Sequence, residues 1–174
     1  LELLKAQQPD THLLNHSLQS EAVMRGLAAH FNEDAELWGL TGLLHDVDFS
    51  HTKETPDNHG LMAMDILGDN LPEEALHAIK AHNSEYTNCT PESRLDYALR
   101  AAESVTGLVS ANALVRPEGM SGMKPKSLKK KMKEKAFAAN VDRDRIREFE
   151  KIEVEAGEFF QIAIDAISPI ATET

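Results

Sequence analysis

The stretch Leu37 to Asp48, Leu-Trp-Gly-Leu-Thr-Gly-Leu-Leu-His-Asp-Val-Asp, runs an apolar pattern into His45 and Asp46. Leu37, Leu40, Leu43 and Leu44 recur at helical spacing and predict a buried stripe. An isolated His beside an Asp is more often a hydrogen-bonded core pair. At the end of a rigid core helix, the same pair also suits a divalent metal, which takes mixed nitrogen and oxygen ligands. The chain offers further groups of this kind: His16, His59, His82 and a helical carboxylate near residue 100, either Asp96 or Glu103. Each lies on, or at the end of, a different predicted helix. A helical bundle can aim all of them into one cavity.

The elements that must position these groups follow from the same pattern. Pro9 ends a short lead-in, and Asp10 or Thr11 caps a helix that runs to Phe31 and carries His16. Asn32 is expected to cap the helix that delivers His45 and Asp46, with Glu33, Asp34 and Glu36 in its first turn. Residues 49–58, with Pro56, read as a polar loop at the mouth of the site, bearing His51 close behind Asp48. A helix opens at His59-Gly60 and stops at Gly68. Pro72 sits in the first turn of the helix leading to His82. Residues 83–91 read as loop, and a long helix from about Pro91 to about Leu114 carries Asp96 and Glu103 on one face, two turns apart. Glu103, set among Ala101, Ala102, Val105 and Leu108, is expected to face inward, where a carboxylate needs a partner or a metal.

Residues 116–123 break the chain, and a basic run follows. Lys124, Lys126, Lys129, Lys130, Lys131, Lys133 and Lys135 hold seven of the 18 basic residues. They form either a solvated face or a wall that attracts phosphate groups. The last part, about 142–168, reads as two amphipathic helices that cap the core.

Composition narrows the class. Only 5% of residues are aromatic and no long β-branched alternation occurs, so an all-α fold is expected. The 174 residues suit one domain, with a core over about 12–115 and the basic segment and C-terminal helices over about 124–168 packed on it. A formal net charge of -11 disfavours long nucleic acid and anionic membranes as partners. The single Cys89 fits a reducing compartment, and no apolar run is long enough for a membrane span, so a cytoplasmic location is expected.

The order His16, His45-Asp46, His59 in Asn-His-Gly, His82 in Ala-His-Asn, then Glu103 in Ala-Ala-Glu-Ser-Val resembles the HD-domain phosphohydrolase superfamily, in particular its small bacterial members. The resemblance covers about residues 12–168 and implies a compact multi-helix bundle. It also implies a divalent metal (Mn, Fe, Co, Ni, Zn or Mg) on His16, His45, Asp46 and Glu103. His59 and His82 would complete a second metal site or contact the phosphate. The family has Asp where this chain has Glu103. Asp96 is an alternative ligand, but lies about 10 Å away along the helix.

The expected activity is metal-dependent hydrolysis of a nucleotide or another small phosphate ester, as a phosphomonoesterase or phosphodiesterase. Asp46 serves at the metal, Asp48 or His51 relays the proton, and Lys126, Lys129 and Lys130 hold the phosphate. A small phosphate-containing ligand is the expected partner, and a homo-oligomer is compatible with the sequence. The alternative is a non-catalytic HD-like domain that binds a regulatory nucleotide or a partner protein. A third reading, also implied by the resemblance, is oxygenase chemistry at a mixed-valence di-iron centre.

Overall fold

A computed structural model describes residues 1–171 of the chain, and among these there is no strand. The helices are α1 (Glu2–Ala6), α2 (Thr11–Phe31), α3 (Ala35–Leu44), α4 (Phe49–Thr52), α5 (Met62–Leu67), α6 (Glu73–Ala81), α7 (Ser84–Thr87), α8 (Arg94–Leu114), α9 (Pro125–Lys131), α10 (Arg143–Ile146) and α11 (Ala156–Ala171). Short 3-10 turns lie at Pro56–Asn58, Gly68–Asn70 and Arg147–Ile152. The fold is all-α, as the composition indicates.

The central element is α8. It packs against α2, α6, α9, α10, α11 and the Arg147–Ile152 turn, and Leu99, Val105, Leu108 and Val109 are buried along it. Its start lies a few residues beyond the expected Pro91. Ser93 caps it, and Asp96 reaches back to accept from the Ser93 N–H at 2.9 Å and the Glu92 N–H at 2.8 Å. This reciprocal cap satisfies backbone donors that the helix start would otherwise leave open.

Two local expectations are corrected. Asn32 does not cap α3; it ends α2 in a left-handed conformation with φ 56°. Asp34 is the cap, accepting from the N–H groups of Glu36 at 2.8 Å and Leu37 at 3.1 Å. Segments expected as loops contain α4, the Pro56–Asn58 turn and α7, and the first C-terminal helix is a short α10 continued by a 3-10 turn.

The helix α3 is enclosed beyond a single stripe. Trp38, Gly39, Thr41, Gly42, Leu43 and Leu44 are all buried, whereas Leu37 and Leu40 are only half-buried. Gly42 explains the closeness: a Cβ there would lie 2.7 Å from the Ser20 carbonyl oxygen of α2. The absence of a side chain lets α2 and α3 approach closely, which sets His16 opposite His45. At the other end of the chain, Phe149 stacks on Phe159 with ring centroids 5.1 Å apart, and both rings join the same hydrophobic core as α2 and α8.

Candidate metal centre

His45 and His82 occupy equivalent local positions. Each is the residue just after a helix, the apolar α3 or the amphipathic α6, where the last carbonyls lack helical partners. Each turns its Nδ1–H back onto the carbonyl three residues earlier. His45 donates to Gly42 O at 2.8 Å, and His82 donates to Ile79 O. The ring thus caps its own helix with Nδ1 and is left with Nε2 pointing away from it.

The other two imidazoles are oriented from outside their own turn. His59 donates its Nδ1–H to Asp48 Oδ1 at 2.9 Å. Asp48 is fully buried, and its second oxygen accepts from the N–H groups of Gly60 at 2.7 Å and Ala63 at 3.0 Å. His16 Nδ1 lies 3.0 Å from Thr106 Oγ1 on α8. The Thr106 hydroxyl donates to Glu103 O at 2.7 Å, so its oxygen is the acceptor for the His16 N–H. Partners on the remote nitrogen fix tautomer and ring angle, as they do around metal-ligating histidines.

All four Nε2 atoms then converge on Asp46. His59 Nε2 is 3.2 Å from Asp46 Oδ1, His45 and His82 Nε2 are each 3.4 Å from it, and His16 Nε2 is 3.6 Å from Oδ2. Within the cluster, His16 and His45 approach at 3.1 Å, as do His59 and His82. Two triads able to hold a metal result, His16–His45–Asp46 and Asp46–His59–His82, with Asp46 common to both.

The electrostatics favour a cation. Burial pushes the His45 imidazole down to about 3, against the pull of Asp46, so it stays neutral with its Nε2 lone pair available. Burial alone would raise the Asp46 carboxyl, but His45, His59 and His82 hold it well below the usual range. Burial also opposes charge on His59, yet Asp46 and Asp48 outweigh it and raise the imidazole to about 10. His45, which donates through Nδ1, turns its Nε2 lone pair toward His16 Nε2 at 3.1 Å. A proton on His59 supplies positive charge to the cluster, and a divalent ion would supply more. The donor set of imidazole nitrogens around a shared carboxylate fits such an ion.

The structure brings together five of the residues expected at the site: His16, His45, Asp46, His59 and His82. It does not bring Glu103 into either triad. The Glu103 carboxylate accepts from the Ser104 hydroxyl at 2.7 Å and lies 3.6 Å from Arg145 Nη1. Asp96 lies in neither triad; its Oδ2 is engaged by the cap and by His77 at 3.1 Å. Asp48, considered as a proton relay, is enclosed behind His59, and the exposed His51 meets Gln7 at 3.1 Å. Lys126, Lys129 and Lys130 are exposed on α9, with Lys130 3.9 Å from Glu134. Thr106 and the Gly42 and Ile79 carbonyls are functional partners that sequence reasoning missed. The Gly42 carbonyl had a readable signal, a His placed directly after an apolar helical run.

The chain matches the profile of the HD domain over residues 13–108. Among curated proteins it is similar to ribonuclease Y of Desulfotalea psychrophila, 29% identical over 97 residues, which is 55% of this chain and 18% of that protein. It is similar also to ribonuclease Y of Nitratidesulfovibrio vulgaris, 30% identical over 99 residues, again 55% of this chain and 18% of the relative. The shared segment is thus under a fifth of those relatives' length. No solved structure matches the chain significantly.

Proposed function

Because the chain belongs to the HD-domain family, we propose that it is a metal-dependent phosphohydrolase acting on a small phosphate ester. The carrying observation is the convergence of four Nε2 atoms on one carboxylate, with every Nδ1 already engaged. A divalent metal held there would polarise a phosphoryl oxygen and lower the pKa of water.

In this reading His16, His45 and Asp46 hold one ion, and Asp46, His59 and His82 hold a second. Three protein ligands per ion leave room for water and substrate, as catalytic sites require. Asp48 orients His59, and Thr106 orients His16. Glu103 anchors Arg145 and is not a ligand. Lys126, Lys129 and Lys130 act at longer range, raising the local concentration of anions around an acidic protein. The relatives are named as ribonucleases, so a phosphodiester belongs among the substrates to be tried.

The placement of Glu103 against Arg145 also favours a second reading, a domain that binds a nucleotide without converting it. Elemental analysis of the purified protein, followed by phosphomonoesters and phosphodiesters assayed with added Mn, Co, Ni, Mg or Zn, separates the two. Bound metal with metal-restored turnover supports the enzyme. A folded protein that takes up no metal and turns over none of the esters overturns it.

A further inference from the structure

The basic run of residues 124–135 folds as α9 and the turn after it. Leu128 and Met132 anchor it in the hydrophobic core. Lys126, Lys129, Lys130 and Lys133 recur at helical spacing and are all exposed. Of the seven Lys in the run, Lys130 and Lys131 have a carboxylate within reach, and it is the same one, Glu134, at 3.9 and 2.7 Å. Like charges three and four residues apart repel one another along a helix. The two buried apolar residues therefore hold this face together against its own charge.

The opposite charge is collected elsewhere. From Glu54 to Ile79 the chain has six carboxylates and no Lys or Arg. Asp65, Asp69, Glu73 and Glu74 lie on α5, on the 3-10 turn after it and in the first turn of α6. All four are exposed, and none of them forms an ion pair among the described residues. The two faces are held apart by α8. Its residue Asp96 meets His77 of α6 at 3.1 Å, and its Asn112 donates to Ser127 Oγ of α9 at 2.7 Å. The helix between these two contacts advances about 24 Å and turns through about 160°. The basic and acidic faces thus lie toward opposite ends and opposite sides of the central helix, and cannot pair within one molecule. Apolar surface borders both: Leu114 and Val115, just past Asn112, are 88% and 61% exposed, and Leu61, just before α5, is 38% exposed.

We propose that the chain associates with itself head to tail, the Lys face of α9 in one copy seated on the Asp65–Glu74 face of the next. Charge is felt over about 8 Å at physiological ionic strength, so the facing patches decide the contact and the net charge of -11 does not. A nucleic acid or an anionic membrane, in contrast, extends one sign of charge past α9 and onto the acidic remainder of the chain. Two different faces on opposite sides make a heterologous contact, which does not close on a pair. The proposal is independent of the metal centre. The long-range role given above to Lys126, Lys129 and Lys130 is then that of a copy whose α9 is free.

Sedimentation velocity of the full chain, from micromolar to near-millimolar concentration, tests it at low and at high salt. At low salt the mass should rise with concentration and pass that of a dimer, and high salt should weaken the association at least about tenfold. Lys126→Glu with Lys130→Glu should be monomeric, because both faces are then acidic. Asp69→Lys with Glu73→Lys should be monomeric for the converse reason. Mixed in equal amounts, the two variants should associate again, since each face finds its opposite on the other molecule. Circular dichroism checks that both keep the parent's helicity; where one does not, Lys130→Gln or Glu73→Gln replaces it and should weaken association without abolishing it. A parent that stays monomeric at low salt overturns the proposal, and if it then captures an RNA oligomer, the Lys face belongs to nucleic acid. Association that stops at a dimer, survives high salt or persists in the reversed variants alone overturns it as well.

Discussion

At the residue level the cluster makes unequal demands on its members, and these can be separated. Asp46 belongs to both triads, so Asp46→Asn is expected to weaken uptake of both ions, whereas His16→Ala affects the first alone and His82→Ala the second alone. Calorimetric titration with zinc should show two sites in the parent, one in each His variant and little binding in the Asp46 variant. Thr106→Val keeps the side-chain shape but removes the acceptor of the His16 N–H, and loss of such outer partners costs about 10–100-fold in metal affinity. Glu103→Gln, by contrast, should leave zinc binding unchanged; a loss comparable to that of Thr106→Val would return Glu103 to the ligand set. The imidazoles were legible in the sequence because His and Asp beside apolar helices have few packing uses. That position 106, and not 103, meets His16 was not legible. One helical turn separates them, and only packing of α8 against α2 and the Arg145 region decides which one meets His16.

At the level of elements, two devices hold the imidazoles in place. The first is the close approach of α2 and α3 at Gly42. A Cβ at this position meets backbone, the Ser20 carbonyl at 2.7 Å, as well as Met24 Cγ at 2.9 Å. Gly42→Ala therefore has to push the helices apart, and overpacking of this kind costs about 1–3 kcal/mol. Chemical denaturation would measure it, and the His16–His45 pair should widen in step. The second device is Arg100, buried on α8. Its Nη1 donates to Ala81 O at 3.2 Å, His82 O at 3.1 Å and Ser84 Oγ at 3.1 Å, and its other nitrogens hold Glu148 at 2.7 and 3.1 Å. The end of α6, and with it His82, is thus tied to the Arg147–Ile152 turn, which lies beyond the residues matched to the family. Nothing in the sequence announced this tie, because an Arg in a helix is ordinary and its partner is 48 residues away. The linked pair Glu85–Arg145, at 2.6 Å, adds a pH dependence. Burial would raise the Glu85 carboxyl, but its backbone hydrogen bond and Arg145 hold it below its ordinary value of 4.5. A depressed carboxylate contributes stability above its unfolded pKa and loses it as pH falls through the folded value. The melting temperature of the parent should therefore exceed that of Glu85→Gln at neutral pH, and the difference should vanish in acid below the usual carboxylate range. A gap that persists there would point to packing instead of charge.

For the whole molecule, the question is whether the C-terminal layer is an addition to the family-matched helices or part of one folding unit. The helical class and the capping role of residues 142–168 were readable from composition and spacing. The degree of sharing was not, since it depends on long-range contacts that leave no local signal. Ile146, Phe149, Ile152, Phe159, Phe160 and Ile167 lie in the same hydrophobic cluster as Val23, Leu27, Leu99 and Leu108. Removing the layer would expose α8 along much of its length, and Arg100 would lose Glu148 while remaining beside His82. A single cooperative transition is therefore expected, as small domains with one core usually show. Trp38, the one Trp of the chain, sits in α3 and reports on the family-matched part, whereas far-ultraviolet dichroism reports on all helices, α11 included. Urea curves from the two probes should superimpose. Phe159→Ala, far along the sequence from Trp38, should move both curves together by about 3–5 kcal/mol, the usual cost of deleting a buried aromatic ring. If the C-terminal layer instead folds on its own, helicity in the variant will fall at lower urea than Trp38 fluorescence changes, and the one-domain reading of this chain will not stand.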